Sequence, residues 1–231
     1  MPRILTVIPA KGRSRRLPGK NATLLAGKPL VVHAIEQAKA SGVCGEICVY
    51  TDTQEIADVA RQAGASVPFL RVGDVDDMTS AGQAACNLLR RYREELGRTF
   101  DIVGLLLTTS PLRAPEDIRG CYEVLDCNSN LDASMSFHHV EKHPYWAWTE
   151  NADGNMAPLF PGLCDVARED APKPYFVDGA VYFARAEFFE RVNGDQYKGR
   201  VGGYTMPAER AIDVDTKLDL DFCEYLLTKG S

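Results

Sequence analysis

The sequence predicts an α/β fold with a mainly parallel sheet, and three observations carry that prediction. Short apolar runs alternate with segments of helical apolar spacing along most of the chain. The run Asp101 to Leu107 is the most apolar, as expected of a central parallel strand covered on both faces. A polar, glycine-containing loop follows the first apolar run, where open α/β sheets keep their ligand loops.

The elements follow in order. Ile4 to Pro9 reads as the first strand. Pro29 to Ala40 has helical spacing, with Pro29 suited to a first turn. Glu46 to Thr51 is a second strand, Gln54 to Ala63 a helix closed by Gly64, and Ser66 to Leu70 a third strand. A long helical pattern spans Thr79 to Leu96 and ends at Gly97. After the central strand come a helix over Pro115 to Cys127 and a strand over Ala133 to Phe137. The pattern then lapses. From about His138 to Phe176 there are five prolines and two tryptophans with little periodicity, which reads as an inserted arm. Alternation resumes at Gly179 to Ala184, and a final helix runs from about Lys217 to Thr228. No internal repeat or long linker interrupts it, so residues 1–231 read as one domain carrying an arm at 138–176.

Composition narrows the function. The chain has 231 residues, 45% hydrophobic and 25% charged, enough for one substantial core. Its net charge of −6 gives no global attraction for nucleic acid or an anionic membrane, so an anionic ligand needs a local basic site. No run approaches the ~18 apolar residues of a membrane span. The seven cysteines are scattered without a CxxC pair. Met1-Pro2-Arg3 leads straight into the first strand. Reduced thiols in the cytoplasm are the expectation.

One such basic site stands out. The segment from Pro9 to Asn21 holds five cations (Lys11, Arg13, Arg15, Arg16, Lys20) and two glycines, Gly12 and Gly19. Backbone N–H groups released by glycine, together with Lys and Arg, suit a triphosphate. A solvated basic surface loop is the competing reading. The spacing matches neither a Walker A loop nor a GxGxxG fingerprint. Further along, Asp213 and Asp215 lie at i and i+2 and point to one side of an extended segment. Such a pair suits Mg²⁺, and Asp215 equally suits a cap for the last helix. The turn Thr108-Thr109-Ser110-Pro111-Leu112-Arg113 follows the central strand. Arg71 and Ser80 flank an acidic stretch and fit a surface cation and a helix cap. His138, His139 and His143 lack the spacing of a zinc set.

In sequence order, P-A-K-G-R-S-R-R-L-P-G-K-N, then A-G-K-P-L, T-S-P-L-R, D-G-A-V-Y and D-V-D-T-K-L-D resemble the CMP-sialic acid synthetase family. The loop is also similar to that of the synthetases for Kdo, an eight-carbon acidic sugar. The T-S-P-L-R turn favours the nine-carbon branch. The resemblance implies a three-layer, Rossmann-like nucleotide-diphospho-sugar transferase fold and transfer of CMP from CTP to an acidic sugar. Carried over by position, it places Lys11, Gly12, Arg13, Ser14, Arg16 and Lys20 on phosphate. Asn21, Arg71 and Ser80 would lie near the nucleotide, and Thr108, Ser110, Arg113, Asp178 and Tyr182 on the sugar side. Asp213 and Asp215 would hold Mg²⁺, and Lys20 would stabilise charge on the transferring phosphoryl group. The arm implies a homodimer, with Tyr145, Trp146 and Trp148 as anchors or as packing within the chain. Lys11, Thr108 and Asp178 replace the family's Arg, Gln and Asn. The last two point toward a diamino bacterial sugar such as legionaminic or pseudaminic acid. A glycosyltransferase, which also uses a D-x-D pair, is the alternative, but its pair lies mid-chain and it lacks the phosphate loop.

Overall fold

The computed structural model describes residues 2–12, 19–71 and 79–229. The first half of the chain contributes strands β1 (Ile4–Ala10), β2 (Leu24–Leu25), β3 (Lys28–Pro29), β4 (Glu46–Thr51) and β5 (Ile102–Leu106). The second half contributes β6 (Ala133–His139), β7 (Trp148–Glu150), β8 (Met156–Pro158), β9 (Tyr175–Arg185) and β10 (Val201–Thr205). The helices are α1 (Leu30–Ser41), α2 (Gln54–Gln62), α3 (Ala81–Leu96), α4 (Pro115–Asp126), α5 (Ala186–Arg191) and α6 (Lys217–Lys229).

The main sheet has six strands in the order β10-β6-β9-β5-β1-β4. β1 pairs in parallel with both β4 and β5. Its side chains alternate between two cores: Ile4 and Ile8 join one, Leu5 and Val7 the other. Helices α1, α2 and α4 cover the first face through Val31, Ile35, Ile56 and Ile118. Helices α3 and α5 cover the second through Leu88, Tyr92 and Phe188. Three layers result, and burial on both faces explains why β5 is apolar throughout. Local chemistry sets the helix ends. Ser80 and Gln83 form a reciprocal capping box at the start of α3, and Gly97 ends it in the left-handed region at φ 63°.

Two expectations need correction, and two elements went unread. Ser66 to Leu70 is not a full strand; it makes a single bridge, Ser66 to Cys48, at the outer edge of β4. Pro68 has no N–H to continue the ladder. The strand expected at Gly179 to Ala184 is longer and runs antiparallel to both of its neighbours, β5 and β6. Two elements, α5 and β10, gave no periodic signal. The first is a turn and a half long, and the second is an edge strand with two glycines, V-G-G-Y-T. The ends of the segment expected as an arm meet at the main sheet, where His138 and His139 of β6 pair with Phe176 and Tyr175 of β9. Within it, β7 and β8 form a hairpin.

Candidate active site

The chain leaves β1 between two neighbours, with β4 on one side and β5 on the other. That reversal of strand order opens a crevice at the carboxyl ends of the strands. Gly12 and Asn21, on either side of the undescribed residues 13–18, are tied to both neighbours. The Gly12 N–H donates to Asp52 Oδ1, beyond β4, at 2.6 Å. A side chain at Gly12 would collide with Thr53, since a Cβ there would stand 2.2 Å from Thr53 Cγ2. On the β5 side, the buried Thr108 hydroxyl donates to Asn21 Oδ1, while Asn21 Nδ2 donates to Lys11 O at 2.6 Å. The loop is thus anchored at its root. Arg13, Ser14 and Arg16 lie outside the described residues.

Lys11, Lys20, Asn21, Arg71, Thr108 and Thr109 line a cavity of about 270 Å³ at this crevice. The Lys11 ammonium donates to Thr79 O at 3.4 Å. Arg71 is buried, with its guanidinium 5.4 Å from the centre of the Tyr50 ring. The two aspartates approach from the far end of the chain. Val214 N donates to Thr109 O at 2.7 Å, and the Val214 side chain is buried beside Leu25, Leu30 and Leu220. That fixes the alternation and turns Asp213 and Asp215 the other way. The Lys20 ammonium donates to Val214 O at 2.9 Å and to Asp215 Oδ1 at 3.2 Å. Asp213 opens to solvent, yet loss of water to the crevice walls raises its carboxyl above the usual range. The Asp215 carboxylate adds to that rise, and the nearby Thr109 and Lys20 work against it.

Asp215 is not the cap of α6. Thr216 takes that place, its hydroxyl accepting from Asp219 N at 3.3 Å, while Asp219 accepts in return from the backbone N–H of Asp215 at 3.0 Å and of Thr216 at 2.7 Å. The Thr216 hydroxyl, 2.8 Å from Asp219 Oδ2, and then those backbone bonds hold the Asp219 carboxyl below the ordinary range.

Arg113, expected on the sugar side, is turned into the fold. This residue is 1% exposed. One Nη donates to Leu107 O at 3.1 Å and Ala180 O at 2.5 Å, and the other to Gln37 Oε1 at 2.8 Å. It ties β5, β9 and α1 together beneath the crevice. Burial lowers its basicity to about 10, so it stays charged at neutral pH. Asp178 is buried too and offers no open carboxylate: Oδ1 accepts from Ser136 Oγ at 2.5 Å and Ala180 N at 2.9 Å, and Oδ2 is sealed from solvent. Burial raises its carboxyl above the usual range. Ser110 is likewise buried. Tyr182 and Ser80 line a second, adjoining cavity. Among the described residues no three His, Cys, Asp or Glu side chains converge as a metal cluster, and the His143 ring packs at a tilt against Tyr145, with centroids 4.1 Å apart. Asp52 and Thr109 are the parts of the crevice that motif spacing left undefined; each sits at the end of a strand flanking β1, which is the signal that places them.

The chain is similar to known proteins along nearly its whole length. A family model described as cytidylyltransferase matches residues 5–228. The CMP-N,N'-diacetyllegionaminic acid synthase of Legionella pneumophila is 37% identical, covering 97% of this chain and 96% of its own. A pseudaminic acid cytidylyltransferase of Campylobacter jejuni is 30% identical over 96% and 95%. A solved CMP:2-keto-3-deoxy-manno-octonic acid synthetase complexed with CTP has a TM-score of 0.73 and covers 99% of this chain and 100% of its own; at 18% identity the likeness is one of fold.

Proposed function

The chain belongs to the cytidylyltransferase family, and we propose that it transfers CMP from CTP to the anomeric hydroxyl of a nine-carbon nonulosonate sugar, releasing pyrophosphate. The observation that carries this is the meeting of Lys20 with the Asp213–Asp215 segment in the crevice beside β1. Cations for a triphosphate line the cavity, and Lys20 joins them to the carboxylates for its counter-ion. The glycosyltransferase alternative gives way to the family match.

The sugar hydroxyl attacks the α-phosphorus in line, and the bond to the β-phosphate oxygen breaks. Lys11, Lys20 and Arg71 hold the triphosphate oxygens and oppose the charge that grows on them. Asn21 and Thr108 keep the loop root in register. Asp213 and Asp215 fit Mg²⁺, which favours one or two carboxylates and takes its other ligands from phosphate and water. When bound, the ion draws charge from the phosphate oxygens. Lys20 is the ammonium placed to stand beside both the carboxylates and the phosphates. A diamino nonulosonate is the favoured acceptor, in keeping with the names of the two relatives.

The test is pyrophosphate release with CTP across a panel of nine-carbon and eight-carbon acidic sugars. Turnover with nonulosonates supports the reading, and turnover with Kdo alone sinks it. A homodimer formed through the arm is part of the same reading. Trp148, Met156 and Leu159 stand exposed on or beside its hairpin, whereas Trp146 donates to Val166 O at 3.1 Å and packs within the chain. Light scattering should give a dimer mass that Trp148→Ala shifts toward monomer; a wild-type monomer would end the proposal.

A further inference from the structure

The crevice has two compartments that share Ala81 and Leu107, and the converging cations lie in the smaller one. The larger encloses about 480 Å³ between the first turn of α3, Leu105 and Tyr182 of the sheet, and the loop 192–198. Two glycines press that loop against the helix. A Cβ on Gly82 would stand 2.1 Å from Gly194 O, and one on Gly194, where φ is 79°, would stand 2.2 Å from Gly82 O. This contact carries Gln196 into the wall, its Oε1 2.9 Å from the place of that Gly82 Cβ.

Gln196 is 7% exposed, yet among the described residues its carboxamide makes no hydrogen bond. The other polar side chains of this compartment have partners. Ser80 and Gln83 cap each other, and Asn193 accepts from Arg90. Asp195 accepts from Tyr197 N and pairs with Lys198, and the Tyr182 hydroxyl faces Tyr197. A carboxamide that lines a cavity and has no partner among the described residues stays open to a ligand that fills the cavity.

We infer that Gln196 is a specificity-determining residue for the acceptor sugar and reads an acylamino substituent of the nonulosonate. A carboxamide offers one acceptor and a donor pair, the complement of an amide N–H and C=O. It is neutral, so it does not repel the carboxylate of an acidic sugar. Among the described residues Lys198 is the one lysine of this wall, so the compartment lacks the converging cations of the smaller one. A pocket built to hydrogen-bond a substituent discriminates strongly against the analogue that lacks it.

The inference rests on the reading of the chain as a nonulosonate cytidylyltransferase, and the experiment separates the two. Wild type, Gln196→Leu and Gln196→Glu are compared by pyrophosphate release. The acceptors are a diacetamido nonulosonate and a nonulosonate with hydroxyls in place of the acylamino groups. Gln196→Leu should lower kcat/KM for the acylamino sugar by roughly 10–100-fold, through the sugar KM. The hydroxyl sugar and the KM for CTP should change less than about twofold. Gln196→Glu keeps the shape but loses the donor pair, and it should fall between the two. Equal losses on both sugars, or a raised KM for CTP, overturn the role of Gln196 alone. A wild type that transfers to no nonulosonate overturns the underlying reading and this inference together.

Discussion

Two polar clusters lie within the same part of the fold and have opposite characters. In the crevice, Lys20 meets Asp215 where both keep contact with water, with side chains 12% and 32% exposed. Below it, Arg113 and Asp178 are almost wholly enclosed, at 1% and 5%. Arg113 directs its guanidinium at main-chain carbonyls and a glutamine, groups that stay put once the sheet is formed. Lys20 is held by one carbonyl and one carboxylate, and a phosphate can replace either. A cation bonded to the fold's own carbonyls fixes architecture. A cation in a half-wet ion pair remains available to a ligand.

The contrast can be broken most forcefully at Arg113. Arg113→Met should cost about 3–5 kcal/mol of stability, because it strands buried acceptors and removes the cation near Asp178. Denaturant unfolding reads this, and a loss under about 1 kcal/mol would erase the distinction. Lys20→Met should do the reverse. We expect kcat to fall by roughly 10²–10³, or about 2.7–4 kcal/mol of transition-state stabilisation. Unfolding free energy should move by less than about 1 kcal/mol, since a part-exposed pair contributes little. A Lys20→Met protein with full activity would remove it from the chemistry.

The smallest effect sharpens the comparison at the segment that carries the aspartates. Asp219→Ala should cost about 1 kcal/mol at pH 7 as the lost half of the Thr216–Asp219 capping box. Its carboxyl is lower in the folded chain than in the unfolded one. The stabilisation is therefore fully present above the ordinary carboxylate pKa of about 3.9 and fades as pH falls through the lower folded value. The difference between wild type and Asp219→Ala should shrink over that acidic window and not near neutrality. Acid titration of unfolding free energy checks it.

Much of this was legible in the chain itself. The apolar run of β5, the capping Ser80 with Gln83, the basic loop after β1 and the aspartates two residues apart all express local periods or short-range bonds, which sequence order preserves. Sequence also set the basic end of the crevice, because a loop at the end of a first parallel strand needs no distant information to be placed.

Tertiary structure decided which cations are free to act. Arg113 follows a strand just as Lys11 does, and only the antiparallel insertion of β9 next to β5 encloses it. Whether a strand pairs parallel or antiparallel is a matter of long-range register, and the same apolar run serves either. Gln196 is the other case. It lies in a short 3₁₀ turn without periodicity, and it matters because two glycines over a hundred residues apart let a loop rest on a helix. Local chemistry wrote the basic loop, whereas burial, which depends on every other segment, chose its partners.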